Sequence, residues 1–355
     1  MLDRPTVLIM AGGTGGHIFP ALATAEELQK KGCDIHWLGT PNSMEAELVP
    51  KHGIEITHIP VTGLRGKGIA SLLKAPLKLM VSLYRVMKVI RRMKPVCVLG
   101  MGGYVTGPGG LAARLMGVPL IVHEQNAIAG FTNKILSKIA SRTLVAFPSA
   151  FPEKQFTVTG NPVRNSISCS SLNREPDEPL KLLVVGGSRG AIGINKVVPE
   201  SLAKLSGKIS VWHQTGKGNA DEARELYEKC GVKGRVEPFI DDMASAYNWA
   251  DVVLCRSGAL TVSELALAQR ASILIPFPFA VDDHQTANGN YLVEQGAALM
   301  VQQKNLSEEK LTELLTELYN QPEKLEKMSE AAGKVAHPRA AIEVAEHCLE
   351  IANAN

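Results

Sequence analysis

The sequence contains no hydrophobic run long enough to span a bilayer. None of its apolar stretches approaches the roughly 18–20 consecutive residues that a membrane-spanning helix needs. The apolar run near the amino terminus, Thr6 to Ala11, is also shorter than the core of a secretory signal peptide. We therefore expect a protein that is neither transmembrane nor secreted.

Metal and disulfide motifs are missing as well. The six cysteines lie far apart and form no C-x-x-C pair, which argues against a zinc site or a disulfide framework and is typical of a reducing cytosol. There is no D-x-D, and His123-Glu124 is not continued as H-E-x-x-H. We expect no tightly bound catalytic metal and no resident cofactor.

Acidic residues are absent from a long stretch of the first half. Between Ile56 and His123 there is no Asp or Glu, although the net charge of the chain is only +3. The same stretch carries many lysines and arginines, and such asymmetry favours an anionic partner.

Basic and apolar residues are interleaved at helical spacing within 69–93, where Pro76 marks a helix start or break. The pattern suits an interfacial patch on anionic lipid, although an ordinary amphipathic crossover helix would give much of it. Few aromatics are available here to stack on bases, which disfavours nucleic acid. We predict a membrane patch made of Leu72, Leu73, Lys74, Lys78, Leu79, Met80, Leu83 and Arg85.

Each half of the chain opens with the same pattern. A β-type run, Thr6–Met10 or Leu180–Val185, is followed by a glycine-rich turn and then by a helical pattern, which begins at Pro20 in the first half. Further short apolar runs alternate with helical patterns. We therefore predict an α/β protein with two doubly wound parallel-sheet domains, residues 1–163 and 164–338, with a final helix at about 339–355 that packs back on the first.

The glycine loops at 12–16 and 186–190 let backbone N–H groups approach a ligand, and the following helix N-terminus favours an anion. A dinucleotide fingerprint does not fit, because Ile18 stands at the third glycine position of the first loop. His17 lies at the mouth of the helix. It can serve as a general base, or equally as a capping or packing residue.

A second motif, Cys255–Glu264, joins a strand to a helix through the turn Ser257-Gly258. Glu264 can accept two hydrogen bonds from the vicinal hydroxyls of a ribose, but it can equally be an acid that stabilises the helix start. The glycine-rich segment 100–110 and the segment His123–Asn126 also follow strands. We expect them on the same sheet edge as His17, where they form a cleft.

Together these motifs resemble the MurG family, the N-acetylglucosaminyltransferases that make lipid II in peptidoglycan synthesis. The resemblance extends to about Pro338 and rests on Gly12–Pro20, Gly63–Gly68, Gly100–Gly110, His123–Asn126, Gly160–Arg164, Gly186–Gly190, Phe239–Met243 and Arg256–Glu264. It implies a GT-B fold, in which two Rossmann-like domains face each other across a cleft.

The activity that the resemblance implies is transfer of GlcNAc from UDP-GlcNAc to the C4 hydroxyl of MurNAc in undecaprenyl-diphosphoryl-MurNAc-pentapeptide (lipid I). The linkage is β1→4 and the anomeric carbon inverts. The resemblance further implies a peripheral protein on the cytoplasmic face of the plasma membrane. Its partners would be lipid I, an anionic phospholipid surface and other cell-wall synthesis proteins.

The resemblance also implies residue roles. His17 is the candidate general base. The donor-binding residues are Thr14, Gly15, Gly16, Asn126, Arg164, Ser188, Ile240, Ala259, Leu260, Thr261, Val262, Ser263, Glu264, Gln285 and Asn288. The acceptor-side residues are Tyr104, His123, Glu124 and Asn133. His284 and Arg189 are left unassigned, because both positions vary in the family.

Two alternatives remain at this point. A soluble UDP-GlcNAc 2-epimerase of GT-B fold would share the donor-site pattern but would need no lipid patch. A non-catalytic nucleotide-sugar sensor at the membrane would not need a polar acceptor-side cleft.

Overall fold

The computed structural model describes residues 4–61, 75–152, 155–164, 166–167, 178–187 and 190–353. Helices and strands are numbered below in chain order within those ranges. The chain divides into two compact units, one formed by Met1–Arg164 with Pro338–Asn355 and the other by Asn165–His337. The predicted site residue Ser188, the patch residues Leu72, Leu73 and Lys74, and the segment Gly63–Gly68 lie outside the described residues.

The first unit is built on a parallel sheet of order β3-β2-β1-β4-β5-β6-β7. Its strands are β1 (Thr6–Ala11), β2 (Asp34–Gly39), β3 (Glu55–His58), β4 (Cys97–Gly102), β5 (Leu120–Glu124), β6 (Arg142–Val145) and β7 (Thr157–Val158). Its helices are α1 (Gly15–Lys30), α2 (Met44–Leu48), α3 (Ala75–Met93), α4 (Thr106–Leu115), α5 (Phe131–Leu136) and α13 (Ala340–Asn353). The strand order reverses between β1 and β4, which makes this point the ligand-binding crevice expected of such a sheet.

Strand β1 is apolar and buried from Val7 to Ala11 because helices cover both faces of the sheet. Val7 and Ile9 pack in one core cluster, which also contains Val344 and Cys348 of helix α13. Leu8 and Met10 pack on the opposite face, in a cluster that holds Val86 and Ile90 of α3. The last helix of the chain therefore forms part of the core of the first unit.

Helix α1 begins earlier than predicted, at Gly15 rather than at Pro20. The Thr14 carbonyl accepts the first helical hydrogen bonds, from the N–H groups of His17 at 3.1 Å and Ile18 at 3.2 Å. Pro20 lies within the helix, where its missing N–H removes one ladder bond near the amino end. His17 therefore lies in the first turn of the helix.

The second unit has a parallel sheet of order β10-β9-β8-β11-β12-β13. Its strands are β8 (Leu180–Val185), β9 (Ile209–Gln214), β10 (Arg235–Glu237), β11 (Val252–Cys255), β12 (Ala271–Leu274) and β13 (Ala298–Met300). Its helices are α6 (Ile192–Ala203), α7 (Ala220–Lys229), α8 (Met243–Trp249), α9 (Ala259–Ala268), α10 (His284–Val293), α11 (Glu308–Asn320) and α12 (Pro322–Lys334). Here the order reverses between β8 and β11, the two strands that precede the predicted donor loops.

Across the described ranges, no helix combines the length and the apolar character needed to cross a bilayer.

Candidate active site

Two glycine loops touch backbone to backbone at the switch point of the first unit. The Gly12 N–H donates to the Gly102 carbonyl at 3.2 Å. A Cβ on Gly103 would lie 2.6 Å from the Gly12 oxygen, and Gly103 itself has a φ of +93°. Only glycine permits this approach, so the loops after β1 and β4 together form one surface.

Glu45 of α2 holds the glycine loop after β1 by hydrogen bonds. Its carboxylate accepts hydrogen bonds from the Gly13 N–H at 3.1 Å and from the N–H and hydroxyl of Thr40 at 3.0 and 2.7 Å. Burial alone would raise the pKa of Glu45, but these hydrogen bonds outweigh it and hold the pKa below its usual value. Sequence reasoning missed this residue, because its partners lie on separate loops.

Helix α1 directs its amino end toward this surface. Thr14 caps the helix with extended backbone angles, φ −133° and ψ 157°, and its side chain makes no capping hydrogen bond. First-turn N–H groups such as those of Gly15 and Gly16 have no carbonyl partner within the helix itself. The amino end of α1 is therefore suited to accept an anion or a ligand oxygen.

His17 lies in this first turn, half-buried against the second glycine loop. Its Nδ1 is 2.9 Å from Oε1 of Gln125. A Cβ on Gly102 would lie 2.7 Å from both Nδ1 and Cε1 of the imidazole. The ring is thus held between the Gln125 amide and the bare backbone of Gly102.

The predicted acceptor-side residues divide into two groups. Tyr104 is 60% exposed next to the glycine loops, where a ligand can reach it. His123, Glu124 and Asn133 are buried, with exposures of 0%, 1% and 3%. These three side chains are therefore not exposed in this structure, and their acceptor-side role stays a prediction.

Hydrogen bonds to the Glu124 carboxylate join two of these buried residues, Glu124 and Asn133, to the loop after β5. Oε1 of Glu124 accepts from the N–H and the Nδ2 of Asn126, at 2.9 and 3.2 Å. Oε2 accepts from the Gly130 N–H at 3.0 Å and from Nδ2 of Asn133 at 2.8 Å. The Glu124 carboxylate thus accepts four N–H hydrogen bonds and fixes the shape of the loop. One of these donors is the side-chain Nδ2 of Asn126.

In the second unit, Glu264 lies on α9, whose amino end follows strand β11 at the switch point. It is 6% exposed, and its Oε2 accepts a hydrogen bond from the Tyr247 hydroxyl at 2.9 Å. The backbone oxygen of Tyr247 in turn accepts from Nε of the buried Arg270 at 2.7 Å. Tyr247 and Arg270 were not predicted, because Tyr247, which contacts both Arg270 and Glu264, lies on a different helix from Glu264.

The rest of the predicted α9 segment is only partly accessible. Gly258 caps the helix in an extended conformation, and Leu260, Thr261 and Ser263 are partly exposed. Val262 is fully buried, and Ala259 is 8% exposed. The side chain of Val262 therefore belongs to the core, and a donor contact at this position stays a prediction for its backbone.

The loop between β12 and α10 carries two further predicted donor residues. Oε1 of Gln285 accepts from the Phe277 N–H at 2.9 Å. Asn288 is fully buried, and its Nδ2 lies 3.4 Å from the Ser257 carbonyl, so it holds α10 against the turn at Ser257. Its contact with the GlcNAc stays a prediction.

Arg256, which was not assigned a role, reinforces the same region. One guanidinium nitrogen donates to the carbonyls of Ile275 and Pro276, both at 3.1 Å, and the other to Oε1 of Gln303 at 2.5 Å. It thus fixes the end of β12, where the polar loop begins.

Two other predicted donor residues belong to other segments of the chain. Ile240 follows β10 and is 4% exposed, which leaves its backbone rather than its side chain for recognition. Arg164 belongs to the first unit, where its guanidinium lies 5.1 Å from the ring centroid of Phe19. Clusters of three or more metal-ligating side chains do not occur within the part of the chain that the structure describes.

Helix α3 carries the described part of the predicted membrane patch. Lys78, Leu79, Met80 and Arg85 are exposed, but Leu83 is partly buried and packs against the core, so it does not belong to the exposed face. The exposed apolar residues that the prediction omitted are Leu77, Val81 and Tyr84, and the exposures of Leu77, Met80 and Tyr84 are 67%, 66% and 70%.

Two parallel-sheet units, each with glycine-containing loops at its switch point, are the architecture expected of a two-domain glycosyltransferase with the GT-B fold. This confirms the predicted fold class. The family model described as the glycosyltransferase family 28 N-terminal domain matches residues 7–145, and that of the family 28 C-terminal domain matches residues 181–344. The chain belongs to glycosyltransferase family 28, as one of its UDP-N-acetylglucosamine–N-acetylmuramyl-(pentapeptide) pyrophosphoryl-undecaprenol N-acetylglucosamine transferases.

Individual relatives agree with this assignment. The transferases of that name from Pseudomonas paraeruginosa and Pseudomonas putida are both 52% identical to the chain, covering 98% and 99% of it and 99% of each relative. A crystal structure of MurG from Acinetobacter baumannii is 40% identical, with a TM-score of 0.85 over 98% of this chain and 100% of that one. A UDP-N-acetylglucosamine 2-epimerase structure, at 16% identity and a TM-score of 0.69 over 99% and 98%, shares the fold alone.

Proposed function

We propose that this hexosyltransferase moves GlcNAc from UDP-GlcNAc to the C4 hydroxyl of MurNAc in undecaprenyl-diphosphoryl-MurNAc-pentapeptide. The names of its relatives supply the two substrates. The observation that carries the chemistry is His17, which is held by Gln125 and Gly102 in the first helical turn at the switch point of its sheet. That crevice is where a doubly wound sheet binds ligands.

The reaction is a direct displacement. The C4 hydroxyl oxygen attacks the anomeric carbon of GlcNAc as the bond from that carbon to the UDP oxygen breaks. The bonding electrons leave with the diphosphate, and the hydroxyl proton passes to the imidazole of His17. Attack opposite the leaving group inverts the anomeric carbon and gives a β1→4 linkage.

The second unit provides the groups for the donor. Glu264 accepts hydrogen bonds from the ribose hydroxyls, with Tyr247 orienting its carboxylate. The glycine loop after β8 and the amino end of α9 stabilise the negative charge that develops on the diphosphate. Thr14, Gly15 and Gly16 complete the donor contacts from the first unit.

Labelled UDP-GlcNAc, supplied with and without the lipid-linked acceptor, tests this function. We expect a disaccharide-lipid product only when the acceptor is present, and no change in the donor alone. Conversion of UDP-GlcNAc to its 2-epimer without acceptor would support the epimerase instead. Donor binding without any transfer to the acceptor would support a sensor.

Glu264→Ala should weaken UDP-GlcNAc binding by about 10- to 100-fold, since hydrogen bonds to a charged group contribute about 1.5–3 kcal/mol. Tyr247→Phe should weaken it less, by about 3- to 10-fold, because the carboxylate stays but loses one partner. Calorimetric titration with UDP measures both. Tyr319→Phe on α11 is the control, and an effect of Tyr247→Phe no larger than that of the control would contradict the orienting role.

The exposed face of α3 is proposed to bind the surface of a membrane that contains the lipid acceptor. Leu77→Gln combined with Met80→Gln should lower binding to vesicles containing anionic phospholipid by at least about 10-fold, because both side chains lose apolar burial. Lys78→Gln and Arg85→Gln should each cost about 5-fold, and only with anionic lipid. Ile192→Gln, which is similarly exposed on α6, serves as the control in vesicle co-sedimentation.

A further inference from the structure

We propose that Gln125 is a positioning residue that holds His17 in the neutral tautomer with the proton on Nδ1, which leaves Nε2 to accept the proton of the sugar hydroxyl. Only the last part of this inference, in which Nε2 accepts the proton of the sugar hydroxyl, rests on the proposed function. The tautomer itself follows from hydrogen bonds between the half-buried His17 and buried side chains behind it.

The orientation of the Gln125 amide is decided by the backbone. The side-chain nitrogen Nε2 lies 3.2 Å from the carbonyl oxygen of His123. A carbonyl oxygen only accepts hydrogen bonds, so the group facing it must be the NH₂ end of the amide. The opposite end, Oε1, therefore faces Nδ1 of His17 at 2.9 Å.

The orientation of the amide determines which ring nitrogen of His17 carries the proton when the ring is neutral. Because Oε1 of Gln125 has no proton to donate, the hydrogen bond forms only if Nδ1 of His17 carries one. A neutral imidazole has one N–H, so Nε2 then keeps its lone pair. Within the described chain Nε2 of His17 has no hydrogen-bond partner, and it is the ring atom that can act as a base.

His123 holds the NH₂ end of the Gln125 amide, and its ring accepts a hydrogen bond from it. Its Nε2 lies 3.0 Å from the Gly160 carbonyl, which requires a proton on that nitrogen. Its Nδ1 is then an acceptor for the second N–H of Gln125, at 3.1 Å. Burial lowers the pKa of His123 to about 4, so the ring is neutral near pH 7 and Nδ1 stays an acceptor.

The backbone of Gln125 is also fixed. Nδ2 of Asn161 donates to its carbonyl oxygen at 3.1 Å, and the residue is 1% exposed. The series from Gly160 through His123 and Gln125 to His17 thus runs in one direction, with every donor matched to an acceptor. His123 is thus buried with both ring nitrogens hydrogen-bonded.

Long-range proton–nitrogen NMR correlation of histidine-labelled protein tests the tautomer without any assay of transfer. The His17 signals are assigned by their loss in His17→Ala. We expect a protonated Nδ1 and an unprotonated Nε2 in the neutral wild-type ring. A spectrum with the proton on Nε2 would overturn the proposal, whether or not the protein transfers GlcNAc.

Gln125→Met tests the positioning role, since it keeps the volume of the side chain but removes its amide. We expect a mixture of both His17 tautomers in the spectrum, a kcat lowered by about 10- to 100-fold, and an unchanged KM for UDP-GlcNAc. Retention of the Nδ1-protonated ring together with full kcat would contradict the role. Loss of the tautomer in a protein that shows no transfer even as wild type would refute the proposed function but leave the tautomer assignment intact.

Discussion

His17→Ala should lower kcat by about 10²- to 10⁴-fold, the range expected when a positioned general base is removed. The acceptor hydroxyl would then have to lose its proton to water during the displacement. Binding of UDP-GlcNAc should change little, because the proposed donor groups that carry most of the affinity lie on the second unit. Steady-state kinetics with saturating donor and acceptor, paired with titration of UDP, separates the two effects.

His52→Ala is the matched control for this variant. His52 lies in the first unit on an exposed 3₁₀ turn, and its side chain is 42% exposed. We expect wild-type kcat from it. Full turnover in His17→Ala would remove the base assignment, and an equal loss of donor binding would point to a structural role for the ring.

Gly102→Ala should lower turnover nearly as much as His17→Ala, although it removes no reactive group. The added methyl would lie 2.7 Å from Nδ1 and Cε1 of His17, so the imidazole would have to move away from Gln125. The φ of +110° adds backbone strain of about 1–2 kcal/mol. We expect kcat to fall by at least about 10²-fold.

A second glycine separates the steric effect from the strain. Gly32, after α1, has a φ of +83°, but a Cβ there would meet nothing within 4 Å. Gly32→Ala should therefore lower the thermal midpoint of unfolding by about as much as the backbone strain alone does in Gly102→Ala. Its kcat should stay normal. If both variants lose kcat in proportion to their loss of stability, the contact between Gly102 and His17 is not what positions the ring.

The strands were the most predictable part of the fold. Leu180–Val185 and Val252–Cys255 have the same bounds in the sequence prediction and in the structure. Buried parallel strands are continuous apolar runs, and turn residues bound them on both sides, so the local pattern suffices. The start of α1 was misplaced because three of the four residues before His17 are glycines, which give no helical pattern.

The site was less predictable, and the reason lies in sequence separation. Gln125 contacts His17, Glu45 contacts Gly13, and Tyr247 contacts Glu264. Each contact joins residues on different elements, so no local spacing indicates it. For the same reason the sequence could not distinguish Tyr104, which is exposed, from His123, which is buried as a support.

The sequence alone established the two sheet units, the glycine loops at their strand ends and the family, because these features depend on local composition and on the order of motifs. Only the tertiary structure decided which polar side chains face a ligand and which hold others in place. Burial and hydrogen-bond direction arise when distant strands become neighbours. They place His17 at the half-buried end of a series of hydrogen bonds whose other members are buried.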